Sequence, residues 1–249
     1  MPRLSAIIIT KNEAANIGDC LDSLAFCDER IVVDGASSDG TLLIAKEKGA
    51  RVATHGWKGF GPQKNYALSL AQGDWVLSID ADERVTPELA QEIRTAIEEG
   101  RADGFEISRR SSFCGRMMRH SGWFPDRVLR LFRRDKGRFT DDVVHERVLC
   151  EGAVARLKEP LLHYPVARLE DAIRRIDHYS TLGAEKLVAS DRNVSFFSGL
   201  THGMGTFLRV YLLKLGFLDG AAGFLLAVAN AEGAYYRYMK AWLARQPRE

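Results

Sequence analysis

The sequence predicts an α/β fold with a mainly parallel sheet, a small antiparallel addition and C-terminal amphipathic helices. Two observations in the first hundred residues support this prediction. Apolar runs typical of buried strands recur at 4–9, 30–34 and 74–79, and segments with helical spacing separate them. Thr86 and Pro87 then mark the start of a further helix, which Gly100 ends. Strands that alternate with helices in this way pair in parallel through right-handed crossovers.

The rest of the chain shows two further patterns. Short extended segments between residues 105 and 164 predict the antiparallel addition, and a helix is predicted over 169–189. Beyond it, apolar residues at helical spacing mix with tyrosine, arginine and lysine, as in helices that lie in a membrane interface. The alternative is a helical hairpin packed on the core or on a second subunit. The predicted ranges are a domain over 1–190, made of 1–100, 101–165 and 166–190, and a helical region over 191–249.

Composition excludes several classes of protein. The 249 residues are 46% hydrophobic and 27% charged, as in folded globular proteins, and a net charge of +2 gives no support for nucleic-acid binding. Basic residues outnumber acidic ones over 101–138, which suits a phosphate-bearing partner, with a solvated basic face as the alternative. The four cysteines lack metal-binding spacing, and no apolar run reaches the length of about 18 residues that spans a bilayer. We therefore expect a cytoplasmic protein with reduced thiols.

Polar motifs follow three of the predicted strands, at Thr10–Glu13, Asp34–Asp39 and Asp80–Glu83. Because ligands of open parallel sheets bind outside the carboxyl ends of the strands, we expect these motifs to meet along one edge. The carboxylates of the third motif repel one another without a compensating partner, and their hard oxygens suit Mg²⁺ or Mn²⁺ bridged to a diphosphate. The simpler interpretations are an acidic helix N-terminus for the third motif and a turn with a helix cap for the second.

Taken together, these motifs resemble a known family. Ile7–Glu13, Val32–Thr41 and Asp80–Asp82 are similar in sequence, order and spacing to the family 2 inverting glycosyltransferases, which have the Rossmann-like GT-A fold. The remainder resembles the subgroup that forms a β-1,4 linkage from glucose to the inner-core heptose of lipopolysaccharide. The segments that carry this second resemblance are 63–65, 123–132, 144–146 and 215–220.

The resemblance implies a nucleotide-sugar donor, UDP-glucose in that subgroup. Asp34 would contact the base, Asp80 the ribose and Asp82 the metal ion. The second strand of the family usually ends in two aspartates, whereas here Asp34 is followed directly by Gly35. We also expect Arg130 to reach a phosphate. The full set of expected donor-binding residues is Thr10, Asn12, Glu13, Asp34, Ser37, Lys64, Asn65, Asp80 and Arg130.

Inverting transfer requires a carboxylate that removes the proton of the acceptor hydroxyl. The resemblance favours Glu146 for this role, and Asp142 is the next candidate. His163 is a candidate metal ligand in addition to Asp82 and Asp80. A lone histidine that ends an apolar segment is more often a structural residue, which is the alternative for His163.

The implied activity is transfer of a sugar, glucose in that subgroup, from a UDP-sugar to an inner-core heptose or a similar lipid-linked glycan. The enzyme would then lie on the cytoplasmic face of the inner membrane, without a nucleic-acid partner. Association into a homo-oligomer is left open. A nucleotidyltransferase of related fold is an alternative, but such enzymes usually have a glycine-rich loop where this chain has Thr10–Glu13. A non-catalytic membrane scaffold is the other alternative, and it leaves the three strand-end motifs unexplained.

Overall fold

The computed structural model describes residues 2–141, 146–190 and 193–246. The chain forms two compact units. The first comprises Met1–Arg109 and Asp126–His163, and the second comprises Arg110–Pro125 and Tyr164–Glu249. These boundaries differ from the predicted ranges because residues from the middle of the chain belong to the same unit as the C-terminal helices. The functional division into 1–190 and 191–249 stays a prediction.

The first unit begins with alternating strands and helices, as predicted. In chain order these are β1 (Leu4–Thr10), α1 (Ile17–Ser23), β2 (Glu29–Asp34), α2 (Thr41–Glu47), β3 (Arg51–Thr54), α3 (Phe60–Leu70) and β4 (Trp75–Asp80). Strand β1 pairs in parallel with β2 and β4, and β2 pairs in parallel with β3. Every residue of β1 is buried, which explains why its sequence is an apolar run rather than an alternating pattern.

The strand register brings the three polar motifs to one edge of the sheet. Thr10, the last residue of β1, lies opposite Asp34, the last residue of β2. On the other side of β1, Ile9 lies opposite Asp80, the last residue of β4. The expected meeting of the strand ends is therefore a direct consequence of parallel pairing with almost no stagger.

The sheet continues with strands of mixed direction. The remaining elements up to residue 166 are β5 (Glu83–Arg84), α4 (Pro87–Glu99), β6 (Gly104–Phe113), β7 (Arg116–Met117), β8 (Asp126–Arg133), β9 (Gly137–Phe139), β10 (Val148–Cys150), β11 (Val154–Arg156) and β12 (Leu161–Val166). The strand order is β3-β2-β1-β4-β8-β6-β12-β5, while β9 and β10 form a separate pair. Strand β8 is antiparallel to both β4 and β6. The α/β fold with a parallel sheet and an antiparallel addition is confirmed.

Helix α4 shows how closely local sequence signals determine one element. The Thr86 hydroxyl accepts a hydrogen bond from the Leu89 amide at 3.2 Å, Pro87 occupies the first turn, and Gly100 adopts the left-handed conformation with a φ of 61°. Leu89, Ile93 and Ile97 are buried on one face of the helix. The predicted N-cap, the buried apolar face and the C-terminal glycine are all present.

The second unit is mostly helical. It contains α5 (Leu169–Ala189), α6 (Phe196–Leu208), a π-helical segment (Arg209–Leu213), a 3₁₀ turn (Gly216–Asp219) and α7 (Gly220–Leu243). A Cβ at Gly199 would lie 2.8 Å from the Met239 side chain, so the absence of a side chain there allows α6 and α7 to pack closely. In the described part of the chain, no single helix has both the length and the apolar composition for a membrane span. Phe196–Leu213 and Gly216–Leu243 meet both criteria only when they are taken together, and they are bent by 69° relative to each other.

Candidate active site at the carboxyl ends of the strands

The loops after β1 and β2 are held together by hydrogen bonds. Asn12, which has a φ of 59°, donates its backbone N–H to the Ser37 hydroxyl at 2.8 Å, and its side-chain oxygen accepts from the Ser38 amide at 2.8 Å. The Glu13 amide donates to the Thr41 hydroxyl at 2.8 Å. These contacts place three of the expected donor-binding residues, Asn12, Glu13 and Ser37, in one continuous wall at the edge of the sheet.

Asp34 supports this wall from inside. Its side chain is fully buried, and it accepts hydrogen bonds from the Thr10 hydroxyl at 3.1 Å, the Ser37 amide at 2.8 Å and the Ser37 hydroxyl at 2.5 Å. In this state the carboxylate holds the turn after β2, as the turn-and-cap interpretation expects. Its expected contact with the base stays a prediction.

Lys64 links two carboxylates from distant parts of the sequence. Its ammonium nitrogen, from α3, lies 3.0 Å from the Asp80 Oδ1 and donates to the Glu146 Oε1 at 2.8 Å. The Lys64 side chain is almost entirely buried, whereas Glu146 retains 16% of its side-chain surface and Asp80 retains 31%. The predicted ribose contact and the predicted base therefore face each other across one cation at the edge of the sheet.

Asp80 is also paired with Arg130. The Arg130 guanidinium, on β8, donates to the Asp80 Oδ2 and, at 2.6 Å, to the Glu83 Oε1. Burial raises the pKa of Asp80, but the positive charges of Arg130 and Lys64 outweigh it and hold that pKa well below its usual range. Burial lowers the pKa of Arg130, but the Asp80 and Glu83 carboxylates outweigh this effect and raise it above its ordinary value. Both groups are charged at neutral pH.

Glu83 and Arg109 complete this buried network, in roles that no local sequence pattern indicates. Glu83 is fully buried on β5, accepts the Asp80 amide at 2.9 Å, and lies 3.5 Å from the Arg109 guanidinium, which also pairs with Asp126 at 2.5 Å. Burial raises the pKa of Glu83, and the nearby Asp80 charge raises it further, against the lowering effect of Arg130. The interpretation of Glu83 as a helix N-terminal acid is wrong, because α4 begins only at Pro87.

Asp82 and His163 form a second, less buried pair. His163, on β12, lies opposite Glu83 in the antiparallel ladder with β5, and its Nε2 is 3.5 Å from the Asp82 Oδ2. Among the residues that the structure describes, no three His, Cys, Asp or Glu side chains are grouped closely enough to hold a metal ion by themselves. The pair nevertheless fits Mg²⁺ or Mn²⁺, because such ions are commonly held by one or two protein ligands together with substrate phosphates and water.

Three other expected site residues remain to be placed. The Asn65 amide group exchanges two hydrogen bonds with the Phe139 backbone, at 3.0 and 2.9 Å, and so anchors β9 to α3. Asp142, the second candidate base, lies outside the described residues. The expected phosphate contact of Arg130 stays a prediction, since its guanidinium is buried and paired with Asp80 and Glu83 here.

The sequence that forms this site matches a known protein family. Residues 5–158 match the family model described as Glycosyl transferase family 2. The chain belongs to this family. The match covers the strand-end site from β1 to Glu146, while His163 lies just beyond it. Membership in the family favours sugar transfer over both the nucleotidyltransferase and the scaffold alternatives.

Several relatives are similar in sequence to this chain over most of its length. One is the lipopolysaccharide core biosynthesis glycosyltransferase LpsC of Rhizobium meliloti, which is 34% identical and whose match covers 96% of this chain and 90% of LpsC. An uncharacterised glycosyltransferase of Rickettsia felis is 31% identical, with 96% and 89% covered. Among solved structures, residues 1–349 of TarS from Staphylococcus aureus give a TM-score of 0.51 at 18% identity, covering 98% of this chain and 92% of that one. The structural likeness supports the GT-A fold.

Proposed function

We propose that this protein is a metal-dependent, inverting hexosyltransferase that moves a sugar from a UDP-sugar to a lipid-linked glycan. The observation that carries the proposal is the contact of Lys64 with both Asp80 and Glu146. It places a donor-side carboxylate and a partly exposed carboxylate on opposite sides of one cation. Removal of a proton from an acceptor hydroxyl requires a base close to the bound donor, and Glu146 lies close to the proposed donor contact Asp80 through Lys64.

The donor would lie along the edge formed by the ends of β1, β2 and β4. In this proposal the Thr10–Glu13 and Asp34–Ser37 loops line the base pocket and Asp80 contacts the ribose. Lys64 and Arg130 contact the diphosphate in exchange for part of their pairing with the chain's own carboxylates. Support for a uridine nucleotide comes from TarS, whose fold is similar and whose crystal structures include complexes with UDP-GlcNAc and with UDP.

The proposed metal ligands are Asp82 and His163, with Asp80 as a further candidate. A bound Mg²⁺ or Mn²⁺ would neutralise negative charge on the departing diphosphate. The chain's own contribution is to hold the Asp82 carboxylate and the His163 ring in mutual reach at the end of β4 and on β12.

Glu146 is the proposed base. Its carboxylate is partly exposed, so it can contact an acceptor hydroxyl, and Lys64 holds it in a fixed position next to the donor edge. Asp142 is retained as the alternative base. General-base catalysis by a positioned carboxylate contributes about 10²- to 10⁴-fold in rate, which is large enough to assign the residue by mutation.

The proposed acceptor is a lipopolysaccharide inner-core heptose or a similar glycolipid, and the proposed sugar is glucose. The relationship to LpsC supports this class of acceptor. An acceptor of this kind is held in a membrane, so we place the enzyme peripherally on the cytoplasmic face of the inner membrane, attached through its C-terminal helices. Association with a second copy is the competing use of these helices.

The test measures UDP release from UDP-glucose with Mn²⁺ and an isolated inner-core glycolipid. We expect Glu146→Gln to reduce transfer by about 10²- to 10⁴-fold while UDP affinity, measured by calorimetry, stays unchanged. The matched control is Glu151→Gln, an exposed glutamate at the end of β10, which should transfer at the wild-type rate. Full activity of Glu146→Gln would transfer the role to Asp142, and a wild-type protein that binds no uridine nucleotide would overturn the proposed function.

A further inference from the structure

Helices α6 and α7 of the second unit are joined by a sharp corner over residues 209–219, here called the apolar corner. The helix that begins at Phe196 ends in a π-helical segment at Leu213, and a 3₁₀ turn over Gly216–Asp219 leads into α7, so that the helices are bent by 69°. Leu215 adopts the left-handed conformation with a φ of 55°. A leucine rarely adopts this conformation without surrounding contacts that hold it there.

The apolar corner exposes large hydrophobic side chains. Leu213 retains 78% of its surface and Leu218 retains 53%. The exposed set in this short segment is Leu212, Leu213, Leu215, Phe217 and Leu218. Single exposed leucines are ordinary, but a contiguous cluster of this kind is typical of a surface that contacts a partner or a membrane.

The apolar corner is hydrogen-bonded to a second segment, Arg110–Pro125, which contains the end of β6 and the short strand β7 and is here called the basic loop. Asp219 is buried, and its carboxylate accepts hydrogen bonds from the Arg119 amide at 3.0 Å, the His120 amide at 3.0 Å and the Ser121 hydroxyl at 2.9 Å. The Ser121 amide donates in turn to the Lys214 carbonyl at 2.8 Å. These hydrogen bonds hold the segment that carries the exposed leucines in a defined position.

The charge around the apolar corner has one sign. The basic loop contains no acidic residue, and between Phe196 and Ala231 the sole acidic residue is Asp219, whose carboxylate is used by the contacts just described. Basic side chains, in contrast, are exposed on both segments. They are Arg116, Arg119, Arg209 and Lys214. The two segments thus combine exposed leucines with exposed basic side chains, which matches the boundary between acyl chains and anionic headgroups.

We propose that the apolar corner inserts into an anionic lipid bilayer while the basic loop contacts the headgroups. This proposal deepens the membrane attachment stated under the proposed function, on which it rests, by naming the inserting segment and the lipid charge. A second copy of the chain is a poorer occupant, because a symmetric contact through this surface would bring four like charges against four. An anionic bilayer satisfies both the leucines and the cations.

The test is co-sedimentation of the full chain with vesicles of phosphatidylcholine alone or of phosphatidylcholine with phosphatidylglycerol. We expect wild type to bind the anionic vesicles more tightly. The double variant Leu213→Asp, Leu218→Asp should lose at least about 10-fold in affinity for them, because two side chains no longer enter the bilayer. Arg119→Gln should lose about 5-fold on anionic vesicles and nothing on neutral ones.

Leu43→Asp is the matched control, since Leu43 is an exposed leucine of α2 in the first unit and retains 63% of its surface. It should bind vesicles as wild type does. Unchanged vesicle binding by the double variant, or a soluble dimer that the double variant abolishes, would overturn the proposal. UDP binding of the same variants, measured by calorimetry, separates this outcome from a failure of the proposed function. If the proposed function fails, the wild type will bind vesicles but no uridine nucleotide.

Discussion

The two units of this protein depart in opposite ways from the usual pattern, in which charged side chains are exposed and apolar side chains are buried. Among the described residues, the first unit buries four charged side chains, Asp34, Lys64, Glu83 and Arg130, whereas the second leaves five large apolar side chains of the apolar corner in water. Buried charge is costly unless it is paired, and exposed apolar surface is costly unless it is covered. The buried charges of the first unit are compensated by ion pairs and hydrogen bonds within the chain. The exposed leucines of the second unit are not covered within the chain, so this second region is the one that points to an external partner.

The difference between the regions lies in what a mutation removes. In the first unit each buried charge stabilises its partners, so its removal should weaken the fold. In the second unit the exposed leucines stabilise little within the chain, so their removal should weaken binding and leave the fold intact. Measurements of stability and of binding on the same variants therefore distinguish the two regions.

The largest effect on stability is expected from Arg130→Met. This change leaves the buried Glu83 carboxylate and Asp80 without their closest cation, and removal of one partner from a buried charge network costs about 3–5 kcal/mol in the free energy of unfolding. Urea denaturation followed by circular dichroism measures this loss. Arg127→Met, at an exposed position of the same strand, should change the free energy of unfolding by less than about 0.5 kcal/mol.

A double variant sharpens this prediction. If the cost of Arg130→Met arises from the uncompensated Glu83 charge, then addition of Glu83→Gln should restore part of the lost stability. Equal stability of Arg130→Met and Arg127→Met would show that the buried network does not stabilise the first unit.

A smaller effect is expected from Asp219→Asn, because asparagine turns one accepting oxygen into a donor that faces either the Arg119 amide or the His120 amide. The expected loss at neutral pH is about 1–3 kcal/mol in the free energy of unfolding. Burial raises the pKa of Asp219, but hydrogen bonds from the Arg119 amide, the Ser121 hydroxyl and His120 outweigh it and lower that pKa in the folded protein. This stabilisation is complete above the ordinary carboxyl pKa of 3.8 and declines as the pH falls through the lowered value.

The same urea titration at two pH values checks this sign. The difference between wild type and Asp219→Asn should be full at pH 7 and should narrow below the ordinary carboxyl pKa of 3.8, because the unfolded chain then binds a proton that the folded carboxylate, with its lowered pKa, still excludes. A difference that is the same at both pH values would show that the Asp219 charge has no part in holding the basic loop.

The sequence predicted those parts of the fold that depend on local signals. The strands β1, β2 and β4, the cap and stop of α4, and the meeting of the strand ends follow from apolar runs, capping residues and parallel pairing. The same is true of the candidate metal residue Asp82, which lies directly after a buried strand.

The pairing of charges could not be predicted in the same way. Glu83 and Arg130 are 47 positions apart, and Lys64 and Glu146 are 82 positions apart, so neither contact leaves a local pattern. One signal was available for the first contact. The basic excess over 101–138 was assigned to an external phosphate or to solvent, yet Arg109 and Arg130 neutralise the chain's own carboxylates.

The most direct test of the central claim is a calorimetric titration of UDP into the full chain, with and without Mn²⁺, for wild type and for Asp82→Asn. If the strand-end site binds a uridine nucleotide through a metal ion held by Asp82 and His163, wild type will bind UDP more tightly with Mn²⁺ than without it. Asp82→Asn will lose that difference and keep its fold, as judged by circular dichroism. UDP affinity that is the same with and without Mn²⁺ in wild type, or a metal effect that survives in Asp82→Asn, would contradict the claim.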